Sequence, residues 1–402
     1  MSNIPKLRFP EFSGEWEEKR LDSLSLINPK PGDLPEVFSY IDLESVKNGV
    51  LLQEKIIKKE EAPSRAQRLL EEKDILFQTV RPYQRNNYFF NSKSPTVAST
   101  GYAQFRVNKN NYPSFLYQYL YTNNFVKNVL DRCSGTSFPA ISTNDLLEIC
   151  LHIPSLPEQQ KIADFLSNVD SIITAETKIL NTLQKKKKAL MQKLFTQQLR
   201  FKSDDGKDFP AWEEKKLGDV CNVLSGKRVP KGNKLTSVNT GLKYITVSDM
   251  GDKFVSNKDI KYITQEIETK IKKYKVITGD IIISVAGTLG KVNIITEEFN
   301  NANLTENCDK LTEFKGCITE YLFYFLQSEK FLDEINRIKT SSAQPKLALD
   351  RLRIFVIPIP IIEEQQKIAD CLSSLDSLIQ TQQKVVTTWQ QRKKALLQQM
   401  FI

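Results

Sequence analysis

The sequence predicts an α+β protein built as a tandem repeat. Two pseudo-symmetric globular blocks are each followed by a long helix, and the two helices pair as an antiparallel coiled coil. Three observations support this prediction. The stretch Glu158–Asp164, Glu-Gln-Gln-Lys-Ile-Ala-Asp, recurs 206 residues later as Glu364–Asp370. Apolar residues after each copy follow a heptad pattern, and the motifs of the two blocks recur in the same order.

The repeat divides the chain into four predicted segments. They are a first block at residues 1–153, a central helix at 154–199, a second block at 200–359 and a C-terminal helix at 360–402. Each block opens on a Trp-Glu-Glu-Lys motif, at Trp16 and Trp212. The shared entry motif indicates that the repeat includes the blocks as well as the helices.

Each block is predicted to combine short strands with one main helix. A buried strand is predicted at Asp74–Phe77 and again at Asp280–Ile283. One helix is predicted over residues 114–130 in the first block and 319–338 in the second. A loop rich in Ser and Thr and a further short strand then lead to the long helix.

The long helices are predicted from apolar residues spaced by alternating steps of four and three. A proline, Pro154 or Pro360, precedes each helix, where proline is favoured. Two separate amphipathic helices, each packed on its own block, remain the alternative. The predicted seam consists of Ile162, Leu166, Val169, Ile173, Glu176, Leu180, Leu183, Lys187, Leu190, Ile368, Leu372, Leu375, Ile379, Gln382, Val386, Trp389, Lys393 and Leu396.

Polar residues within the seam predict a register. Glu176 is expected opposite Lys393, and Lys187 opposite Gln382, because each polar side chain then meets a polar partner. The repeat also predicts that residues 1–200 alone can form a homodimer, since a second copy can take the place of the second half. In that dimer Glu176 would meet Lys187 of the other copy.

Composition limits the function classes. The 402 residues carry a formal net charge of +9, which is compatible with a polyanionic partner. Six scattered cysteines without a Cys-x-x-Cys pair, and His152 as the one histidine, argue against a disulfide framework or a zinc site. We expect a cytoplasmic protein without a signal peptide, a membrane span or a bound metal.

Motifs of catalysis and cofactor binding are missing from the sequence. Gly287–Val292 resembles a phosphate-binding loop, but Val285 and Val292 stand where glycine and Ser or Thr are required. A Ser-His or Cys-His mechanism would have only His152 available. We therefore expect a chain that is not an enzyme and binds no cofactor of its own.

Polar tracts after the matched strands predict DNA binding, because Arg, Lys, Gln and Asn bond base edges and phosphates. For any single residue the alternative is a solvated polar turn. In the first block the predicted DNA-binding residues are Arg65, Arg68, Gln78, Arg81, Tyr83, Gln84, Arg85, Asn86, Asn87, Ser134, Thr136 and Ser137. In the second block they are Lys227, Arg228, Lys231, Lys234, Ser284, Thr288, Lys291, Asn293, Ser341, Ser342 and Gln344.

The arrangement resembles the specificity subunit of type I restriction–modification enzymes. Similar features are the two helices that begin Pro-x-x-x-Glu-Gln-Gln-Lys-Ile-Ala and the strand Gly279–Ser284. The tract Gly135–Ser142, Gly-Thr-Ser-Phe-Pro-Ala-Ile-Ser, is similar to the loop that closes the recognition domains of that family. The matching tract at residues 342–347 lacks the glycine.

The resemblance implies that each block is a target recognition domain that reads one half of a bipartite, asymmetric site in double-stranded DNA. It implies two methyltransferase (modification) subunits as partners, which bring S-adenosylmethionine. It also implies restriction/translocase subunits that use ATP and Mg²⁺. From the residues alone, a DNA-binding regulator and a coiled-coil scaffold that binds no nucleic acid stay open.

Overall fold

The computed structural model describes residues 3–30, 32–340 and 346–402. The chain forms two compact units, Met1–Ile179 with Gln382–Ile402, and Leu180–Thr381. Each unit contains one globular block and one half of each long helix. The predicted site residues Ser341, Ser342 and Gln344 lie outside the described residues.

The first block is mainly strands, with short helices near its C-terminal end. Its helices are α1 (Leu21–Leu24), α2 (Pro113–Tyr119), α3 (Asn123–Leu130) and α4 (Thr143–Leu147), followed by the long α5 (Leu156–Phe195). Its strands are β1 (Glu17–Arg20), β2 (Ser25–Ile27), β3 (Val37–Ile41), β4 (Val46–Lys47), β5 (Val50–Leu51), β6 (Lys55–Lys58), β7 (Ala66–Leu69), β8 (Ile75–Gln78), β9 (Tyr88–Phe89), β10 (Thr96–Ser99), β11 (Tyr102–Val107) and β12 (Cys150–Ile153).

Two four-stranded sheets organise the first block, in the orders β6-β3-β10-β7 and β2-β11-β8-β9. Strand β8 is buried along its whole length, as its apolar sequence predicts. Strands β3 and β10 run parallel, while β8 pairs with β11 and β9 antiparallel. The polar loop that follows β8 therefore starts from a fixed, buried strand.

The second block repeats this architecture with fewer strands. Its strands are β13 (Glu213–Lys216), β14 (Asn222–Ser225), β15 (Lys243–Ile245), β16 (Lys261–Tyr262), β17 (Ile281–Ser284), β18 (Val292–Ile294), β19 (Asn303–Leu304), β20 (Cys308–Thr312) and β21 (Val356–Ile359). Its helices are α6 (Leu217–Val220), α7 (Gln265–Ile271), α8 (Thr319–Phe325), α9 (Glu329–Thr340) and α10 (Leu349–Arg353), followed by the long α11 (Ile362–Met400).

The sheets of the second block have the orders β14-β20-β17-β18 and β16-β15-β19. Strand β17 takes the place that β8 has in the first block, between the long strand β20 and the short strand β18. Its three isoleucines are fully buried. The polar loops that follow β8 and β17 therefore leave equivalent strands of equivalent sheets.

The single helix predicted in each block is wrong, because the structure has two helices there. In the first block the helix ends after Tyr119, and the hydroxyl of Thr122 accepts a hydrogen bond from the amide of Phe125 to start a new one. In the second block α8 ends at Phe325 and α9 begins at Glu329. The helical spacing of apolar residues continues across the break between the two helices, which is why this spacing by itself predicted a single helix. The capping threonine instead favours a turn between two helices.

The long helices run antiparallel within each unit. In the first unit, Asp170 of α5 pairs with Lys393 of α11 at 2.6 Å, and the backbone carbonyl of Glu176 accepts a hydrogen bond from Gln382 at 3.0 Å. In the second unit, Lys187 pairs with Asp376 at 2.6 Å. Every residue of the predicted seam is buried or half-buried.

The predicted register of the coiled coil is wrong. Glu176 pairs with Gln382 and not with Lys393, which lies eleven residues, about 16 Å, further along the same helix. In the observed register Lys187 and Lys393 each meet an aspartate, Asp376 and Asp170. The predicted register would have placed Lys187 opposite a neutral amide. The sequence-based prediction considered only seam residues, and both aspartates flank the seam.

The glutamate and first glutamine of the repeated motif fix each block to its long helix. The glutamines Gln159 and Gln365 accept from the backbone amides of Tyr112 and Ile318 at 2.9 and 2.8 Å. Glu158 accepts two hydrogen bonds from the Arg8 guanidinium, both at 2.8 Å, and Glu364 accepts two from Arg200 at 2.7 and 3.1 Å. The indole of Trp212 also donates to Glu364 at 2.8 Å. These buried, charge-assisted contacts give the entry motif a structural role.

Candidate nucleic-acid interface

The loop after strand β8 is held together by one buried glutamine. The Gln78 side chain is 2% exposed, accepts a hydrogen bond from the Asn86 amide at 3.2 Å and donates to Gln84 at 2.9 Å. The Gln78 amide in turn donates to the Asn87 side chain at 3.0 Å. Gln78 and Asn87, both predicted to bind DNA, therefore shape the loop from inside.

Arg81 lies on the outer side of this loop. Its guanidinium stacks on the exposed Phe138 ring, 4.2 Å from the ring centre, and its Nε has no hydrogen-bond partner among the described residues. Arg81 adopts a left-handed backbone conformation, with φ of 53°. At the matching position the second block has Gly287, which takes this conformation without strain. The left-handed conformation of Arg81 costs the folded state of the first block about 1 kcal/mol, which a glycine would avoid.

Arg85, four residues after Arg81, makes its contacts within the block. Its guanidinium donates to the Tyr121 carbonyl and to the Asn123 side chain, both at 2.9 Å. Burial lowers the pKa of Arg85. This residue ties the loop to the start of helix α3.

A hairpin that the sequence analysis did not single out lies beside the loop. Strands β4 and β5 are joined by Asn48 and Gly49, both with positive φ, which is the geometry of a tight hairpin turn. The amide of Asn48 donates to the Asn86 side chain at 3.0 Å. The Asn-Gly pair was the available sequence signal for this element. We call Val46–Leu51 the first hairpin.

The remaining predicted residues of the first block differ in their exposure. Arg68 is partly buried, burial lowers its pKa, and its Nε has no hydrogen-bond partner among the described residues. Because no carboxylate neutralises it there, Arg68 is suited to a phosphate. The exposed residues of the set are Arg65, Tyr83, Ser134, Thr136 and Ser137.

The matching loop of the second block is also fixed from inside. Ser284 is fully buried, and its hydroxyl accepts from the Lys291 amide and donates to the Thr288 carbonyl. The Lys291 ammonium and the Asn293 amide both donate to backbone carbonyls of the neighbouring hairpin, Met250–Val255. Of the predicted residues in this loop, the Thr288 side chain is the exposed one.

Exposed cations follow strand β14 in the second block. Lys227, Arg228, Lys231 and Lys234 are all exposed, and Arg228 forms an ion pair with Glu306. A run of exposed cations beside the sheet is suited to the phosphate backbone of DNA.

Neither a metal cluster nor a membrane-spanning helix is present in the part of the chain that the structure describes. The profile of one protein family, the type I restriction modification DNA specificity domain, matches residues 14–185 and 211–388. This chain belongs to that family. The two matches correspond to the tandem repeat, so the specificity subunit contains the family's domain twice.

Individual relatives of this specificity subunit carry the same description. It is 25% identical over 409 residues to the MjaVIII specificity subunit of Methanocaldococcus jannaschii, covering 97% of this chain and 92% of the relative. It is 25% identical to the EcoBI specificity subunit of Escherichia coli over 58% of this chain and 53% of that relative.

Solved structures show the same fold. One, described as the structural basis of complex assembly and conformational transition of the type I R-M system, has a TM-score of 0.59 at 23% identity, covering 96% of this chain and 97% of that chain. The type I S subunit from M. genitalium also gives 0.59, at 17% identity and 99% of both chains.

The comparisons and the structure confirm several predictions made from the sequence. The fold class is α+β with tandem domains and two paired long helices. The specificity subunit recognises DNA and is not itself an enzyme. The family supports neither a transcription regulator nor a scaffold without nucleic acid.

Proposed function

We propose that each block of this subunit reads one half of a bipartite, asymmetric DNA site. The supporting observation is the pair of loops after β8 and β17. Both leave equivalent strands of equivalent sheets, yet their outward side chains differ. A common scaffold with different loops is what two different half-sites require. The proposed domain boundaries are those of the repeat, with blocks at 1–153 and 200–359 and helices at 154–199 and 360–402.

In the first block, Arg81, Tyr83, Gln84 and Asn86 contact bases in this proposal, while Arg65 and Arg68 contact phosphates. Gln78, Arg85 and Asn87 hold the loop in shape. The exposed Ser134, Thr136 and Ser137 lie in the segment that carries Phe138, against which Arg81 stacks.

In the second block, Thr288 faces outward in this proposal, and Lys227, Arg228, Lys231 and Lys234 contact phosphates. Ser284, Lys291 and Asn293 support the loop from inside. The segment with Ser341, Ser342 and Gln344 completes the proposed contact set.

The partner subunits supply the chemistry in this proposal. Two methyltransferase subunits bring S-adenosylmethionine, and restriction/translocase subunits use ATP and Mg²⁺. This chain contributes sequence recognition and the paired helices that join the two blocks. It needs no cofactor for that task, because base reading uses hydrogen bonds and packing alone.

A block exchange tests the proposal. Residues 16–153 are replaced by the first block of another family member, and the complex with its methyltransferase partners is expressed in a host whose methylated sites are then sequenced. We expect one half-site to change and the other to stay. A change in both half-sites, or in neither, would contradict the assignment of one block to each half.

A further inference from the structure

The first hairpin and the loop after β8 enclose an open cleft of about 400 Å³. Two side-chain amides, Gln84 and Asn86, lie on its loop side, and Lys47 and Glu44 lie on its hairpin side. We infer that this cleft reads a base edge that offers two adjacent hydrogen-bond acceptors and no donor, which in the major groove is the N7 and O6 edge of guanine. This inference rests on the proposed function of the first block.

The orientation of the Gln84 amide follows from a chain of fixed donors. The backbone amide of Asn86 can only donate, so the atom of Gln78 that faces it at 3.2 Å is the oxygen. The nitrogen of Gln78 therefore faces Gln84 at 2.9 Å and must meet the oxygen of that side chain. This leaves the exposed nitrogen of Gln84 free, with its two N–H donors directed away from Gln78.

Asn86 is fixed in the same sense. Its side-chain oxygen accepts from the backbone amide of Asn48 at 3.0 Å, and a backbone amide cannot be turned into an acceptor. The nitrogen of Asn86 has no hydrogen-bond partner among the described residues and keeps its donors free. Each of the two amide oxygens in the cleft thus already accepts one hydrogen bond from the protein, while the two nitrogens keep their donors.

This arrangement changes which base a glutamine is expected to recognise in DNA. Glutamine normally reads adenine with its oxygen and nitrogen together, because adenine offers a donor at N6 and an acceptor at N7. Here each oxygen already accepts one hydrogen bond from the protein, so adenine N6 would have to share an occupied oxygen, while the N–H donors lie on the free nitrogens. Guanine offers two acceptors side by side and satisfies both N–H groups of one amide.

The other groups of the cleft favour a base over a phosphate. The Glu44 carboxylate lines the cleft together with the Lys47 ammonium, so the two charges offset each other and a phosphate would meet a negative neighbour. The Leu52 side chain, 61% exposed, adds an apolar wall. A phosphate site would present cations without a carboxylate.

Gln84→Glu tests the inference on the full-length chain with its methyltransferase partners. A glutamate can accept from Gln78 with one oxygen and then presents an acceptor to the cleft. We expect one guanine position of the first half-site to lose its preference and to accept cytosine or adenine, which carry amino groups. The wild-type preference is expected to be roughly 5- to 150-fold. Gln67→Glu, which adds the same charge on an exposed strand position, is the matched control and should leave the motif unchanged.

Gln78→Glu should reverse the orientation of the Gln84 side-chain amide without altering a residue that faces DNA in the proposed function. Glutamate at this position has no N–H to donate, so the nitrogen of Gln84 turns toward it and the oxygen of Gln84 turns outward. The motif should shift in the same direction as with Gln84→Glu. Because Gln78 is buried, the melting temperature of the Gln78→Glu variant is measured as well. Gln84→Ala provides a second variant, which should relax the preference at the same base position.

The outcomes separate the inference from the proposed function. If the block exchange changes the first half-site but Gln84→Glu leaves its motif intact, the inference is wrong and the proposed function stands. If Gln84→Ala weakens all sequences equally, the cleft binds phosphate and the inference is also wrong. If neither the exchange nor the variants alter the motif, the proposed function itself fails.

Discussion

Arg81 and Arg85 show how two equal side chains in one loop come to have different roles. The Arg85 guanidinium is used within the fold, by a carbonyl and an amide oxygen of the segment that leads into α3. The Arg81 guanidinium stacks on Phe138, and in the proposed function its N–H edge contacts a base. Stacking on an aromatic face orients the planar group without using its donors.

Arg81→Ala and Arg85→Ala should therefore fail in different ways. In the proposed set of DNA contacts, loss of Arg81 removes one base contact, so it should weaken binding or relax one half-site by roughly 1–3 kcal/mol, with the melting temperature unchanged. Loss of Arg85 leaves the part-buried Tyr121 carbonyl without its donor, removes the contact to Asn123 and should lower stability by roughly 1–3 kcal/mol. DNA-binding titrations and thermal unfolding of both variants measure the two effects. Equal behaviour of the variants in both assays would contradict this division.

Asp309 in β20 is a second residue whose environment sets its behaviour. It is 2% exposed, and burial raises its pKa to about 6, against the opposing effects of Ser225, Lys346 and Arg353. Since the folded pKa lies above the unfolded value of 3.8, this group favours folding at low pH and loses that contribution as the pH rises to about 6.

Asp309→Asn should accordingly stabilise the protein at pH 7.5, by roughly 1–3 kcal/mol, and flatten the pH dependence of stability between about 4 and 6. Thermal unfolding across this pH range measures both effects. A variant less stable than the wild type at pH 7.5 would show that the ionised carboxylate is needed by its neighbours.

At the scale of elements, the paired helices owe their register to charges beside the seam. Apolar residues repeat evenly along both helices and permit several registers. The observed register brings each seam lysine to an aspartate, Lys187 to Asp376 and Lys393 to Asp170. Each aspartate also accepts from its own block, from Tyr324 at 2.7 Å and from Gln118 at 2.8 Å. One small network thus links both helices and the block within each unit.

A double-mutant cycle on Lys187 and Asp376 tests this network. Both side chains are 17% exposed, so we expect a coupling free energy of about 1–2 kcal/mol in unfolding measurements. The neighbouring pair of Lys188 and Glu329 is the control, because at 75% and 47% exposure it should couple by less than about 0.5 kcal/mol. Couplings of equal size would mean that the inner pair does not set the register.

At the scale of the whole molecule, the repeat predicts that a fragment of residues 1–200 forms a homodimer. The observed register changes the expected contacts. Glu176 and Gln382 occupy the same position of the repeat and pair with each other, so in the fragment dimer Glu176 would meet Glu176 of the second copy. The pair of Asp170 and Lys187 would be kept twice. The earlier expectation of Glu176 against Lys187 is wrong for the same reason as the register.

Glu176→Gln should therefore tighten the fragment dimer. The substitution replaces both facing carboxylates, one in each copy, by amides and removes a repulsion that we put at ~1 kcal/mol, or about fivefold in the dissociation constant. Light scattering over a dilution series measures it, with the exposed Glu72→Gln as control. Weaker association of Glu176→Gln than of Glu72→Gln would contradict the register of the fragment.

The sequence by itself determined the features that depend on order along the chain. The 206-residue repeat, the heptads of the long helices and the apolar strands Ile75–Gln78 and Ile281–Ser284 are all local or periodic patterns. The Asn48-Gly49 pair is a local signal of the same kind, although the sequence analysis did not predict a turn there. These features can be read from the sequence because the periods of helices and strands appear in residues that are close together along the chain.

The tertiary structure decided which partners each side chain meets. Gln78 is held inside the loop by hydrogen bonds with Asn86 and Gln84, and Arg85 by a hydrogen bond to a carbonyl 36 residues away. The periodicity of the sequence does not predict such contacts. The register of the long helices depends on aspartates outside the seam whose lysines lie 189 and 223 residues away. A hydrogen bond or ion pair between distant residues requires both to be brought together, and only the folded chain specifies that meeting.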